Sequence, residues 1–285
     1  MISKTGINLF TYLDYRKYLK DWYEYHKQNT TGFSFRSFSQ KAGFGSPNFL
    51  KRVIEGERNL TESSTRAVIK CLELNKQESA FFERLVLFNQ STSHEEKNVH
   101  YHSIVTSQKF AQLKPLAKDQ YEFCSTWYHP IVREMVVAKG FDGTPDWVAK
   151  NIRPCISADL ARKSIELLAR LGFIKQVGKG KWAQSEPVVT TGAEAISLTA
   201  MNYHKNVLEL VKHQLPRTHP LERDVSVLTL GVAKGRLAQI KKKIQEFRGE
   251  ILKLVAEDHE PDDVIMLALQ LLPVSQRRKQ IVSNK

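Results

Sequence analysis

The residue types that carry covalent chemistry are present in this 285-residue sequence, but not at working spacings. His94-Glu95-Glu96-Lys97-Asn98-Val99-His100 lacks the i, i+4 histidine pair of a zinc helix, and His100 and His102 have no third ligand nearby. Gly178-Lys179-Gly180-Lys181 lacks the glycine spacing and the following Ser or Thr of a phosphate loop. No Ser or Cys sits in a nucleophile's setting. Cys71, Cys124 and Cys155 are odd in number, far apart and without CxxC spacing, which argues against a disulfide framework or structural zinc. The expectation is a protein that is not an enzyme and needs no cofactor or metal.

What the spacing does support is recognition of a polyanion. Lys and Arg number 43 against 30 Asp and Glu, a formal charge of +13. The excess is spread evenly along the chain, which fits folded basic faces better than a disordered arm. Within it, residues 34–58 have the parts of a helix-turn-helix. Phe38 and Ala42 mark the inner face of a first helix, with small Ser39 where two helices could cross closely. Gly43-Phe44-Gly45 makes a turn, and Ser46-Pro47 opens a second short helix by capping it. Leu50 and Val53 then face inward. Ser46, Asn48, Lys51 and Arg52 face outward, where a recognition helix presents donors to base edges, and Arg36 and Arg58 are placed for phosphates. Measured from Gly43, the inward residues come about one position later than in the tightest motifs. An ordinary helical hairpin with a basic face is the competing reading.

A second candidate is a helix from Ser157 followed by a hairpin to Gln184. Arg162 and Lys163 lie on its outer side, with Lys175, Lys179 and Lys181 on the ribbon, as in the wing of a winged helix whose lysines reach phosphates. The alternative is a packing or dimerisation module with solvated lysines. Trp127 and His129, in Trp127-Tyr128-His129-Pro130, are placed either to line a ligand pocket or to fill a core. Leu237, Ile240, Ile244, Phe247, Ile251 and Leu254 recur at steps of three and four, either to cover a sheet or to form a dimer seam.

These residues need elements to hold them. Apolar spacing and caps predict a helical unit over 9–90, then a polar linker over 91–118 with at most one short strand or helix. A third segment, 119–192, opens with a helix from Asp119 to about Ala138 and ends in the helix and hairpin. Residues 193–276 form a dimerisation or sensing unit with a long helix, then a strand at 224–232, a helix at 234–256 and a strand at 264–272. A basic tail, 277–285, follows. The longest apolar run, 264–272, is about half of a bilayer crossing, and the N-terminus lacks a signal pattern, so a cytoplasmic protein with no membrane partner is expected.

Leu13-Asp14-Tyr15-Arg16-Lys17-Tyr18-Leu19, the 34–61 segment, Phe88-Asn89-Gln90 and Trp127-Tyr128-His129-Pro130 give the chain its likeness to known sequences. Thr191-Gly192, Asn202-Tyr203-His204, Glu222-Arg223-Asp224-Val225 and Leu269-Gln270-Leu271-Leu272-Pro273 extend it. From about Leu13 to Gln276 the sequence resembles an uncharacterised bacterial family expanded in Fibrobacter and Bdellovibrio relatives and labelled as transcriptional regulators. The resemblance implies a repressor-like helix-turn-helix on residues 34–58, followed by a domain of unassigned role.

The fold class expected is mainly α with a minor β component: a helix-turn-helix domain, a winged-helix-like domain and a C-terminal strand–helix–strand unit. The function expected is a DNA-binding transcriptional regulator acting on double-stranded DNA as a homodimer, with a small molecule or a protein as its effector. The alternative is an interaction adaptor or ligand-sensing module whose helix-turn-helix binds no DNA.

Overall fold

The computed structural model describes residues 7–185, 193–233, 235–256, 258 and 261–275. It is mainly helical, with 13 α-helices among these residues and one two-stranded antiparallel sheet. The basic tail 277–285 lies outside the described residues.

The first unit opens with a 3-10 turn at Leu9–Thr11, followed by α1 (Tyr15–Asn29), α2 (Phe35–Lys41), α3 (Phe49–Ile54), α4 (Glu62–Cys71) and α5 (Lys76–Gln90). Local chemistry sets the starts. Asp14 caps α1 by accepting from Arg16 and Lys17 N–H, while Ser34, Thr61 and Asn75 form capping boxes with Ser37, Ser64 and Glu78. Tyr15, Tyr18, Leu19, Phe38, Leu50, Val53, Phe81 and Phe82 are almost fully buried in one core.

The stretch 91–118 is not a linker. It folds as α6 (His94–Val105), α7 (Gln108–Leu113) and the start of α8 (Pro115–Cys124), and it puts Tyr101, Ile104, Val105 and Phe110 into the first core. His100 and His102 accordingly sit on α6. The helix expected from Asp119 to Ala138 is broken in two: α8 ends at Cys124, and α9 (Tyr128–Met135) begins after a short turn.

α9 packs with α10 (Pro145–Asn151) and α11 (Ala158–Arg170) around a second core that includes Val132, Val148, Ile152, Ala161, Ile165 and Leu168. Strands β1 (Ile174–Gly178) and β2 (Lys181–Gln184) follow as a hairpin, pairing Ile174 with Gln184 and Gln176 with Trp182, with an irregularity before Gly178. α12 (Ala193–Gln214) lies against α6 and α8. α13 (Arg236–Val255) buries none of its residues.

The strands expected at 224–232 and 264–272 are not formed. Residues 223–233 and 263–274 carry no regular secondary structure, and among the described residues only β1 and β2 pair. The alternation in 224–232 and the apolar run in 264–272 are real, but a strand exists only with a neighbour to receive its hydrogen bonds.

Candidate nucleic-acid interface

α2, the turn after it and α3 are held together by a small set of contacts. Ser39 is buried, and its hydroxyl donates to the Pro47 carbonyl at 3.1 Å, so the close approach expected at this position occurs. Gly43 has φ +74°, a left-handed conformation that lets the chain reverse and Phe44 N–H return to the Ser39 carbonyl at 2.8 Å. Phe44 and Phe49 stack with centroids 3.9 Å apart. The second helix starts later than its Ser-Pro signal suggests. Asn48, not Ser46, is the N-cap, it makes no side-chain capping bond, and Ser46-Pro47 belong to the turn.

Leu50 and Val53 are fully buried, so the opposite side of α3 faces solvent. Asn48, Lys51 and Arg52 are exposed there, and Ser46 is half-buried beside them. Lys51 lies 3.8 Å from Glu55, and Arg52 pairs with Glu57 at 3.1 Å. Exposed pairs of this kind contribute little and exchange readily for a stronger anion. Arg58 is brought to the same helix, its guanidinium 4.9 Å above the Phe49 ring. Arg36 is exposed on the first turn of α2.

One residue that sequence reasoning passed over orients this surface. Arg16 of α1 donates to the Val53 carbonyl at the end of α3, to the Arg58 carbonyl at 2.9 Å and to Asn59 Oδ1 at 2.7 Å. A cation at a helix C-terminus answers both the helix dipole and the orphan carbonyls there. The available signal was Arg16's place in the Leu13–Leu19 motif, but no local spacing links it to residues more than 30 positions away.

The other candidates are less favourably placed. Arg162 pairs with Asp159 and with Glu166 of its own helix, Lys163 pairs with Asp159 at 2.7 Å, and Arg170 reaches Asp119, so the cations of α11 are partly neutralised, as Lys51 and Arg52 are by Glu55 and Glu57. Lys175, Lys179 and Lys181 are exposed. The hairpin tip does not project freely, however: Gly180 rests on the turn at Asp142-Gly143. A Cβ at Gly143 would stand 2.5 Å from the Gly180 Cα, and φ there is +83°. Gly143→Ala is therefore expected to lift the tip and destabilise this unit by about 2 kcal/mol, combining the left-handed penalty with a backbone clash. Unfolding followed through Trp182 fluorescence checks it; an unshifted transition would mean the tip is not seated on this turn.

Trp127 packs on the second core and His129 is buried, and neither lines the cleft described next. Trp127 caps α9 without a side-chain bond, half-buried against Tyr128, while His129 is 2% exposed with its Nδ1 2.8 Å from Ser164 Oγ. A cleft lies between α6, α8 and α12. It measures about 290 Å³ and is lined by His94, Asn98, Tyr121, Ser125, Asn202 and Lys205. Asn202 ties its walls together, its Oδ1 accepting from His94 Nε2 at 2.8 Å and its Nδ2 donating to Asn98 Oδ1 at 2.6 Å; Lys205 pairs with Glu95 at 2.5 Å.

Among the described residues, no cluster of three or more His, Cys, Asp or Glu is arranged for a metal, and no helix is long and apolar enough to cross a membrane. Residues 107–274 match the family described as Domain of unknown function (DUF4423), and the chain belongs to that family. The matched region starts at the cap of α7 and leaves the α2–α3 surface outside it. No curated protein and no solved structure matches the chain.

Proposed function

We propose that the chain is a DNA-binding transcriptional regulator that acts as a homodimer, with α2 and α3 as a repressor-like helix-turn-helix and α9–α11 with the hairpin as a winged-helix-like companion. The observation that carries this reading is the exposed side of α3, with Asn48 at its cap and Lys51 and Arg52 further along, anchored from behind by buried Leu50 and Val53 and clamped at its far end by Arg16. A rigid helix presenting amide and cationic donors on one side, and nothing apolar, suits a groove lined by acceptors and flanked by phosphates.

In this reading Asn48 and Ser46 meet base edges, Lys51 and Arg52 contact bases or phosphates at the groove, and Arg36 and Arg58 hold the backbone. The polar cleft between α6, α8 and α12 supports an effector role for the rest of the chain. Through α6 it joins the first core to the DUF4423 region, so a ligand there would act on the joint between them.

The test is the salt dependence of binding to duplex DNA, measured by fluorescence anisotropy. Affinity of the parent should fall steeply with salt. The Lys51→Ala, Arg52→Ala double variant should bind more weakly at every sequence, with a log–log slope shallower by about 2 if both cations meet phosphates. Parent-like affinity and slope in that variant would remove α3 as the reading surface, and no salt-dependent binding by the parent would remove DNA as the partner.

A further inference from the structure

Of the 28 large hydrophobic residues that are exposed among those described, 17 lie between Leu221 and Val274. Residues 225–233 and 264–275 carry no charged side chain at all, and α13 between them buries nothing. Among the described residues, no backbone hydrogen bond involves a group within 223–232 or 262–275. A stretch of this size, apolar and with its backbone polar groups open, is far more than a lone chain ordinarily leaves to water.

The arm is nevertheless placed rather than loose. At one root Glu222 pairs with Arg153 at 3.3 Å. At the other, Lys139 donates its N–H to the Pro261 carbonyl at 2.9 Å, its ammonium lies 3.2 Å from Asp262, and Val264 packs on the second core. The segments on either side of α13 thus each start from a fixed point.

We propose that residues 223–275 are the contact between two copies of this chain. The two α13 helices lie antiparallel, and the open segments on either side pair between copies into a shared sheet. The charge distribution selects a second copy in this orientation. The first half of α13 carries Arg236, Lys241, Lys242 and Lys243, of which Lys242 and Lys243 also reach the single Glu246 of their own helix, and the sequence directly after its end carries Glu257, Asp258, Glu260 and Asp263 besides the Asp262 held by Lys139. A two-fold axis that sets the helices antiparallel lays each basic start beside the other copy's acidic end; a parallel arrangement sets like against like.

The charge-free segments oppose no identical partner and offer a polyanion nothing to hold. The arm also presents more residues than the roughly 20–30 per side of a standard stable interface. A second copy supplies open segments of equal length, so each unmet donor and acceptor finds its counterpart. The proposal deepens the two-copy reading given above and rests on it only for the number of copies, since DNA takes no part.

Sedimentation of the full chain without DNA, at micromolar concentration, tests it. The parent is expected at twice the 32.7 kDa chain mass. Leu228→Glu with Leu269→Glu should sediment as a single chain while keeping the parent's helical circular dichroism. Reversing Lys241, Lys242 and Lys243 to Glu should weaken self-association by about tenfold, as should reversing Glu257, Asp258 and Glu260 to Lys. Mixing the two reversed proteins should restore a dimer, because both charge contacts are then satisfied. A parent that sediments alone overturns the proposal and leaves the face to a different protein. A dimer that survives the double Glu variant places the contact elsewhere, and a mixture that does not recover association overturns the antiparallel arrangement. If the parent dimerises by this arm but ignores DNA, only the functional reading fails.

Discussion

Gln90→Ala is expected to destabilise the N-terminal unit by about 3 kcal/mol, more than any surface change made there, although Gln90 is a polar residue at the end of a helix. Its carboxamide oxygen accepts from the Tyr15 hydroxyl at 2.8 Å and from Leu60 N–H at 2.8 Å, and its nitrogen donates to the Leu60 carbonyl at 2.8 Å. One amide thereby acts as a short piece of sheet, closing the Leu60 backbone onto α5 and α1. Burial, the largest influence, raises the Tyr15 phenol to about 12, so it stays a donor throughout the neutral range.

Tyr15 is fully buried and Leu60 nearly so, and truncation takes a partner from three polar groups. A group left unpaired costs about 1–3 kcal/mol when water cannot reach it; partial solvent entry at half-buried Gln90 keeps the total near the lower end. Gln77→Ala, on the exposed face of the same helix, should change stability by less than about 0.5 kcal/mol. Hydrogen exchange of α1 and α5 amides reads both, and equal protection in the two variants would show that the clamp carries no stability.

Gln90 also shows where sequence reasoning reaches its limit. Starts of helices are written locally: Ser34, Thr61, Asn75 and Ser157 each meet a backbone N–H within a few residues. Gln90 and Arg16 act across 30 or more positions, and their motifs gave no hint of the target. The misread of 91–118 has a different cause. α6 is covered by α5, α7, α8 and α12, so its apolar residues are spread around the helix and leave no single stripe to detect. Its charged first turn, His94-Glu95-Glu96-Lys97, reads as linker although Ser93 caps it.

The candidate site divides in the same way. The inner face of α3 was legible from Leu50 and Val53, and so was the Ser39 crossing point, because both follow from helical spacing. The partial neutralisation of α11 was equally readable, since Asp159 stands three and four residues before Arg162 and Lys163, yet counting cations alone hides it. The apolar segments at 224–232 and 264–272 show the reverse limit: a sequence reports the tendency to pair but not the chain that satisfies it.

Acidification should expose the second core through His129. The imidazole is 2% exposed on α9, faces Phe123 and Tyr128, and has Ser164 Oγ as its polar partner, with the Ser164 side chain itself fully buried. Burial disfavours the charged ring and lowers its pKa from 6.5 to about 4. In the unfolded chain the same histidine titrates near 6.5. Between those values the unfolded state holds a proton that the folded state refuses, so stability is complete above pH 6.5 and declines as the pH falls toward 4. Each tenfold difference in proton affinity between the two states corresponds to about 1.4 kcal/mol, which makes the loss from this one group about 3 kcal/mol.

His129→Gln removes the titration while keeping a group able to bond Ser164. The variant is expected to be less stable than the parent at pH 7.5, because amide and ring differ in shape, but to lose about 3 kcal/mol less on going to pH 4. Trp127, Trp147 and Trp182 belong to this unit and Trp22 to the other, so urea unfolding followed by fluorescence in a Trp22→Phe background reports the right transition. Parallel losses in parent and variant would show that acid acts on other groups. A loss confined to the parent would identify a buried, neutral histidine as the acid-labile point of the unit that carries the hairpin.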